Sequence, residues 1–208
     1  MTTESTRDRL VTAAMRLFAE HGYAGTTVGQ IETEAGLAPR SGALYQYFKG
    51  KRALLDAAVE RHVADLDQMQ TSIDLLPLGD LRAELTLMAR WNLQDLQRRR
   101  DLYRFLRKEG DRFPEVVAKV YHHISERPLR RVAEFLREGY RQAGVEEPDT
   151  EALVAVMVQS MAAYRAHEET FGEPPLGVSE ERFVETWVDL CLAFAASRGI
   201  DVKGNGGR

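Results

Sequence analysis

The chain has 208 residues, 44% of them hydrophobic, and 28 Lys and Arg against 32 Asp and Glu give it a formal net charge of −4. This length suits one or two domains with a proper hydrophobic core, and a single cysteine, Cys191, excludes a fold held by intrachain disulfides. The N-terminus lacks a signal-peptide pattern and no apolar run reaches the roughly 20 residues of a membrane span, so we expect a cytoplasmic protein without a membrane partner.

The first predicted helix covers residues 8–21. Leu10, Ala14, Leu17 and Phe18 recur there at helical spacing and form one apolar stripe. We therefore expect this helix to pack one face against a core.

A short capped helix, a glycine turn and a second helix are predicted over residues 26–52. Thr27 and Gln30 have the spacing of a capping box, in which each side chain bonds an unpaired N–H of the first turn. Gly36 can adopt the positive φ angle that ends a helix, and Pro39 suits the first turn of the next one. This arrangement is typical of a helix-turn-helix motif, whose second helix enters the major groove of DNA.

The second helix of this motif is predicted to bury Leu44 and Phe48 and to present a small, polar outer face. Four basic and no acidic residues lie between Ala35 and Leu55. Arginine can pair with guanine and glutamine with adenine, and cations at the end of the helix can meet phosphates. The basic cluster is Arg40, Lys49, Lys51 and Arg52. The candidate DNA-contacting residues are Thr27, Arg40, Ser41, Gly42, Ala43, Tyr45, Gln46, Tyr47 and Lys51.

Spacing and charge alone leave a second interpretation open. Small helical domains commonly join short helices through glycine, and basic clusters are commonly just solvated. The charge of the whole chain does not decide the matter, because residues 1–60 hold seven basic and seven acidic residues and the excess of acid lies in residues 61–208.

Residues 7–55 resemble the N-terminal domain of the tetracycline-repressor (TetR) family of transcriptional regulators. The resemblance rests on the segments LFAEHGYAG, TTVGQI, EAGL and GALYQYFKGKRALL, which follow one another in this order. It implies a recognition helix within Arg40–Tyr47, a phosphate contact from Lys51, dimerisation, and repression relieved by an effector bound in the C-terminal domain.

The chain departs from the common form of the family pattern at four places. The run from Gly36 to Tyr45 is two residues longer, and Ala38 stands where a capping serine is usual. Gly29 lies inside the first helix of the motif, and Glu32 occupies a position that is usually small. The longer turn makes the recognition helix the part of the motif where residue roles carry over least directly.

The rest of the chain is predicted to be a series of helices, without an alternating strand pattern. Arg98, Arg99 and Arg100 are interpreted as a solvated turn at the end of one of them. The predicted helices cover residues 51–75, 80–108 and 126–143, with a shorter one beginning at Phe113–Pro114. The fold class is thus all-α, with a DNA-binding domain at 1–53, a helical effector-binding and dimerisation domain at 54–198, and a disordered tail at 199–208.

Two late segments, residues 152–164 and 183–196, are apolar around more of the helix than one core requires. They can form half of an intermolecular four-helix bundle, which favours a homodimer that reads a symmetric operator. The alternative is that both lie centrally in one core.

Large, adaptable side chains between residues 80 and 170 favour a site for a small, mostly apolar effector. The candidate ligand-binding residues are Met88, Trp91, Tyr121, His122, Met157, Met161 and Tyr164. The sequence shows no nucleophile elbow, Walker loop, dinucleotide fingerprint or metal-ligand spacing, so we expect no enzyme activity, cofactor or metal. The predicted function is a DNA-binding regulator; the alternative is an all-helical small-molecule-binding or adaptor protein with a vestigial motif.

Overall fold

A computed structural model describes residues 5–39, 42–73 and 80–202, with side chains described for all of these except 66–73. Within these ranges the chain forms helices joined by turns, and no strand is present, which confirms the all-α prediction. No described helix is long and apolar enough to cross a bilayer. The α-helices are α1 Thr6–Gly25, α2 Val28–Glu34, α3 Ala43–Tyr47, α4 Lys51–Ile73, α5 Leu81–Arg98, α6 Arg100–Glu109, α7 Pro114–Val120, α8 Arg127–Ala143, α9 Thr150–Phe171 and α10 Glu180–Ser197. Two 3₁₀ turns, Gly110–Arg112 and Pro175–Gly177, and a π-helical turn, Tyr121–Glu126, complete the fold.

The chain divides into two compact units that do not follow the sequence order. The first unit joins Met1–Met69 with Arg99–Ser125, and the second joins Gln70–Arg98 with Glu126–Arg208. Helices α6 and α7 therefore belong with α1–α4 although they lie far from them in sequence. The functional boundaries drawn at residues 53 and 198 stay a prediction, and residues 203–208 of the predicted tail lie outside the described part.

The core of the first unit is apolar and centred on α1, which packs against α6 and α2. Leu10 and Phe18 of the predicted stripe are fully buried, as are Leu102 and Phe105 of α6. The ring of Phe18 lies 6.4 Å from that of Phe105. Burying such aromatic side chains contributes roughly 1.5–3 kcal/mol each, so α6 contributes strongly to holding α1 in place.

Helix α1 is longer than predicted and breaks at Gly22. Gly22 has φ +77° and ψ 163°, a conformation that is essentially restricted to glycine. The Tyr23 N–H after the break donates to Glu109 Oε1 of α6 at 3.1 Å. The Thr26 hydroxyl donates to the carbonyls of Gly22 at 2.8 Å and Leu17 at 3.1 Å. Side chains thus satisfy backbone groups that an unbroken helix would pair internally.

The predicted single helix over residues 80–108 is wrong, because α5 ends at Arg98 and α6 begins at Arg100. Arg99 is only 1% exposed and donates to the His62 carbonyl of α4, so it is not part of a solvated turn. Arg98 and Arg100 are exposed as predicted. A buried guanidinium needs hydrogen-bond acceptors, which the His62 carbonyl supplies here, and the backbone of Arg99 leaves the helical conformation with φ −97° and ψ 7°.

The second unit contains α5, α8, α9 and α10. Helix α9 packs against both α5 and α8, and α10 packs against α5. Trp187 Nε1–H donates to the Met157 carbonyl at 3.1 Å, and the Tyr164 hydroxyl donates to the Val178 carbonyl at 2.9 Å. Cys191 packs against this core, where burial raises the pKa of its thiol to about 11, as expected for a packing residue.

We expect Gly22→Ala to lower the free energy of unfolding by at least about 2 kcal/mol. A Cβ at this position would lie 2.4 Å from Glu109 Oε1, and alanine also disfavours the φ of +77°. Gly25→Ala is the matched control at the end of the same helix, since its Cβ would meet only His21 Cβ at 3.8 Å. Denaturant unfolding of both variants checks this; equal stabilities would contradict it.

Candidate DNA-binding surface

The start of α2 is fixed by the capping box that the sequence predicts. The Thr27 hydroxyl accepts a hydrogen bond from the Gln30 N–H at 3.3 Å, and Gln30 Oε1 accepts one from the Thr27 N–H at 2.7 Å. Both side chains are exposed. The helix start is therefore rigid while Thr27 stays accessible.

The end of α2 is closed by the glycine turn. Gly36 has φ +72°, as predicted. Its N–H donates to the Thr33 carbonyl at 3.0 Å, and the Leu37 N–H donates to the Glu32 carbonyl at 2.8 Å. These two bonds form a Schellman motif, which pairs the last carbonyls of the helix.

The recognition helix α3 begins later than predicted. Pro39 lies in a turn, and the helix starts at Ala43, after Gly42 in the left-handed conformation with φ +73°. The prediction that Pro39 opens this helix is wrong, because Gly42 interrupts the helical backbone between them. Two candidate residues, Arg40 and Ser41, lie outside the described residues.

The described part of α3 has the predicted inner and outer faces. Leu44 is fully buried and Phe48 is 7% exposed. Tyr45 and Tyr47 are 62% and 45% exposed, and Gln46 is exposed as well. The two exposed tyrosines flank a glutamine, a residue type that can pair with adenine.

The ammonium group of Lys51 binds main-chain carbonyls of the protein, whereas a simple phosphate contact requires it to face solvent. Its ammonium donates to the carbonyls of Tyr23 at 2.8 Å and Thr26 at 2.7 Å, and it lies 4.6 Å from the centre of the Tyr23 ring. Lys51 thus ties the start of α4 to the end of α1. Lys49, just before it, is exposed and its charge faces solvent.

Arg52 forms exposed ion pairs within the first unit. Its guanidinium donates to Glu115 at 2.6 Å and Asp56 at 3.0 Å, and the bond to Glu115 contributes most to raising the pKa of Arg52. Hydrogen bonds to its own backbone and to Arg52 lower the pKa of Glu115. Exposed pairs of this kind stabilise little, so Arg52 can exchange a carboxylate for a phosphate at small cost.

The candidate ligand-binding residues are divided between the two units. Met161 and Tyr164 are buried in the core of the second unit, where Met157 is half-buried. Met88 and Trp91 are half-buried on α5. Tyr121 and His122 are exposed on the π-helical turn of the first unit.

Several residues of structural importance escaped the sequence interpretation. Glu32 was noted only as a departure from the family pattern, yet it is completely buried and its carboxylate accepts from the Leu44 N–H at 3.1 Å. Glu109 received no role at all. Neither residue belongs to a local motif. The sequence pattern that could have identified them is an acidic residue on the apolar face of a predicted helix.

We expect Lys51→Ala to lower the free energy of unfolding by about 1–2 kcal/mol, because two carbonyls lose a charged donor. Lys49→Ala is the matched control and should leave stability unchanged while lowering the salt dependence of DNA binding by about one phosphate contact. Thermal unfolding and binding titrations at several salt concentrations measure both effects. A Lys51→Ala protein as stable as the wild type would contradict the role in tying α4 to α1.

The N-terminal part of the chain matches a family of known proteins. Residues 10–58 match the family described as bacterial regulatory proteins, tetR family. An uncharacterized HTH-type transcriptional regulator of Bacillus subtilis (strain 168) is 22% identical over 187 residues, which are 86% of this chain and 92% of that protein.

Solved structures share the fold over nearly the whole chain. The flavonoid-responsive regulator FrrA has a TM-score of 0.61 at 25% identity, covering 92% of this chain and 95% of its own. The transcriptional regulator FadR from Bacillus subtilis, in complex with stearoyl-CoA, has a TM-score of 0.60 at 18% identity, covering 88% and 95%. Residues 10–58 thus match the tetR family of bacterial regulatory proteins, and the chain shares the fold of these solved regulators over nearly its whole length.

Proposed function

We propose that the protein is a transcriptional repressor that binds operator DNA as a homodimer in the cytoplasm and is released by a small, mostly apolar effector. The observation that carries the proposal is the outer face of α3, where Tyr45, Gln46 and Tyr47 are exposed while Leu44 and Phe48 anchor the helix from below. A helix anchored in this way can enter a major groove without unfolding.

A mobility-shift experiment with the DNA upstream of the protein's own gene tests the binding function. The wild type should shift this duplex, and Tyr47→Ala should weaken the shift while the protein still unfolds cooperatively. Phe171→Ala, which changes a still more exposed aromatic residue on α9, is the control and should bind as the wild type does. Failure of the wild type to prefer any duplex would favour the adaptor alternative.

The support for a homodimer comes from two exposed stripes that carry no charge. Val156 and Leu190 are 70% and 67% exposed, although each lies on a well-formed helix of the second unit. Exposed residues at helical spacing extend both stripes. They are Ala152, Ala155, Val156, Gln159 and Ala163 on α9, and Thr186, Leu190, Ala193 and Ser197 on α10. Uncharged exposed surface of this kind is typical of an interface, and a symmetric operator requires two copies.

We expect Val156→Asp and Leu190→Asp each to raise the dimer dissociation constant by on the order of 100-fold, because dimerisation would bury an unpaired carboxylate. Leu176→Asp is the matched control. Leu176 is 99% exposed on the turn between α9 and α10, and aspartate tolerates its φ of +53°. Sedimentation at several protein concentrations measures the effect. A wild type that sediments as one chain at micromolar concentration would defeat the dimer.

The support for an effector site lies in the incomplete burial of the second unit. Met88 and Trp91 of α5, Val132 of α8, and Leu153 and Met157 of α9 are apolar but only half-buried. Apolar side chains left partly open inside a helical unit suit a mostly apolar ligand. The structural relatives named above add to this, since one carries stearoyl-CoA and another is described as flavonoid-responsive.

A buried amide oxygen in the same unit indicates which functional group the effector carries. Asn92 Oδ1, adjacent in sequence to Trp91, is buried and has no hydrogen-bond partner among the described residues. A buried acceptor without a donor costs roughly 1–3 kcal/mol, which a ligand hydroxyl or N–H would recover. The proposed effector is therefore apolar with at least one hydrogen-bond donor. It must also bind the DNA-free conformer more tightly, since equal affinity for both states shifts nothing.

We expect Asn92→Leu to weaken effector binding about tenfold while raising the free energy of unfolding, because leucine removes the unpaired acceptor and keeps the volume. Trp91→Ala should weaken binding through lost apolar contact. The effector is first identified by screening flavonoids, stearoyl-CoA and other hydrophobic compounds for release of bound DNA. Asn92→Leu with lower stability, or with unchanged affinity for the identified effector, would contradict the role of Asn92.

A further inference from the structure

The carboxyl group of Glu32 lies under the recognition helix and away from water. Glu32 is 0% exposed, although glutamate is rarely buried without a charged partner. One oxygen, Oε1, accepts from the Leu44 N–H of α3 at 3.1 Å. The other, Oε2, is buried and has no hydrogen-bond partner among the described residues.

The residue that precedes helix α3 makes no side-chain cap to its N-terminus. The first N–H groups of any helix have no acceptor within the helix. The residue before α3 is Gly42, which has no side chain to cap it, and Ala38 replaces the serine that the family pattern places ahead of this helix. The Glu32 carboxylate supplies an acceptor for the Leu44 N–H from α2, twelve residues earlier in the chain.

The same residue also closes the other side of the turn. The main-chain carbonyl of Glu32 accepts from the Leu37 N–H at 2.8 Å and so ends α2. One residue therefore bonds both helices of the motif, one through its backbone and one through its side chain. A helix of five residues has little stability of its own, so such a link decides where α3 lies.

We propose that Glu32 is a positioning residue for DNA reading: its carboxylate fixes α3 relative to α2 and thereby sets where Tyr45, Gln46 and Tyr47 meet the bases. This inference rests on the proposed DNA-binding function.

The experiment compares Glu32→Ala with Glu32→Gln, which keeps the shape and the accepting oxygen. Hydrogen exchange is first measured without DNA in the peptide covering residues 43–48. DNA reading is then measured as the affinity ratio between a duplex that the wild type selects from a random library and a shuffled duplex of the same composition. Glu34→Ala is the matched control, since it removes a carboxylate from the same helix that pairs with Arg16 instead of α3.

In Glu32→Ala we expect faster hydrogen exchange in this peptide. We also expect the affinity ratio to fall about tenfold, because losing a helix cap costs about 1 kcal/mol and this cost would fall on the specific complex. Binding to the shuffled duplex should not weaken. Glu32→Gln should restore the ratio to within about twofold of the wild type. Unchanged exchange in Glu32→Ala, or a Glu32→Gln ratio as low as that of Glu32→Ala, would overturn the proposal. If the wild type selects no sequence, the proposed function fails, while the exchange result still decides whether Glu32 holds α3.

Discussion

Where α1 breaks at Gly22, backbone N–H and C=O groups lose their hydrogen-bond partners within the helix. Side chains from other parts of the first unit bond these groups instead, and this constraint determines how its helices are arranged. Glu109 of α6 accepts from the Tyr23 N–H, and the Thr26 hydroxyl donates to carbonyls on the near side of the break. Lys51 of α4 donates to the two carbonyls beyond it. Three helices distant in sequence thus meet at one turn of backbone, and buried polar groups of this kind specify a single arrangement more sharply than apolar packing alone.

This arrangement also bears on where α2 and α3 lie within the first unit. The α4 helix that carries Lys51 begins shortly after α3, so its anchoring also limits where α3 can lie. On the other side, α6 follows α5 with only Arg99 between them. Under the proposed function, an effector bound near α5 would act on α6 through chain continuity, and α6 holds α1 through Glu109 and the Lys108 bond to the Glu20 carbonyl at 2.9 Å.

The sequence predicted the parts of the fold that depend on neighbours within one helical turn. The capping box of Thr27, the glycine end of α2 and the burial of Leu44 are of this kind, and all three are confirmed. The break at Arg99 was not predicted, because an arginine is normally solvated and no nearby sequence feature indicates a hydrogen-bond acceptor for it. The bonds of Glu32 and Glu109 span 12 and 86 residues, so helical periodicity contains no signal for them.

The contact between Gly22 and Glu109 limits which residues can stand at each of the two positions. Any Cβ at 22 would lie 2.4 Å from Glu109 Oε1, and the φ of +77° with ψ 163° disfavours a side chain there even where residue 109 is shorter. Shortening Glu109 would leave the Tyr23 N–H without its acceptor. Position 22 is therefore restricted to glycine whatever residue stands at 109, while position 109 must keep an acceptor that reaches the Tyr23 N–H. The break in α1 in this way limits which residues α6 can carry at its C-terminal end.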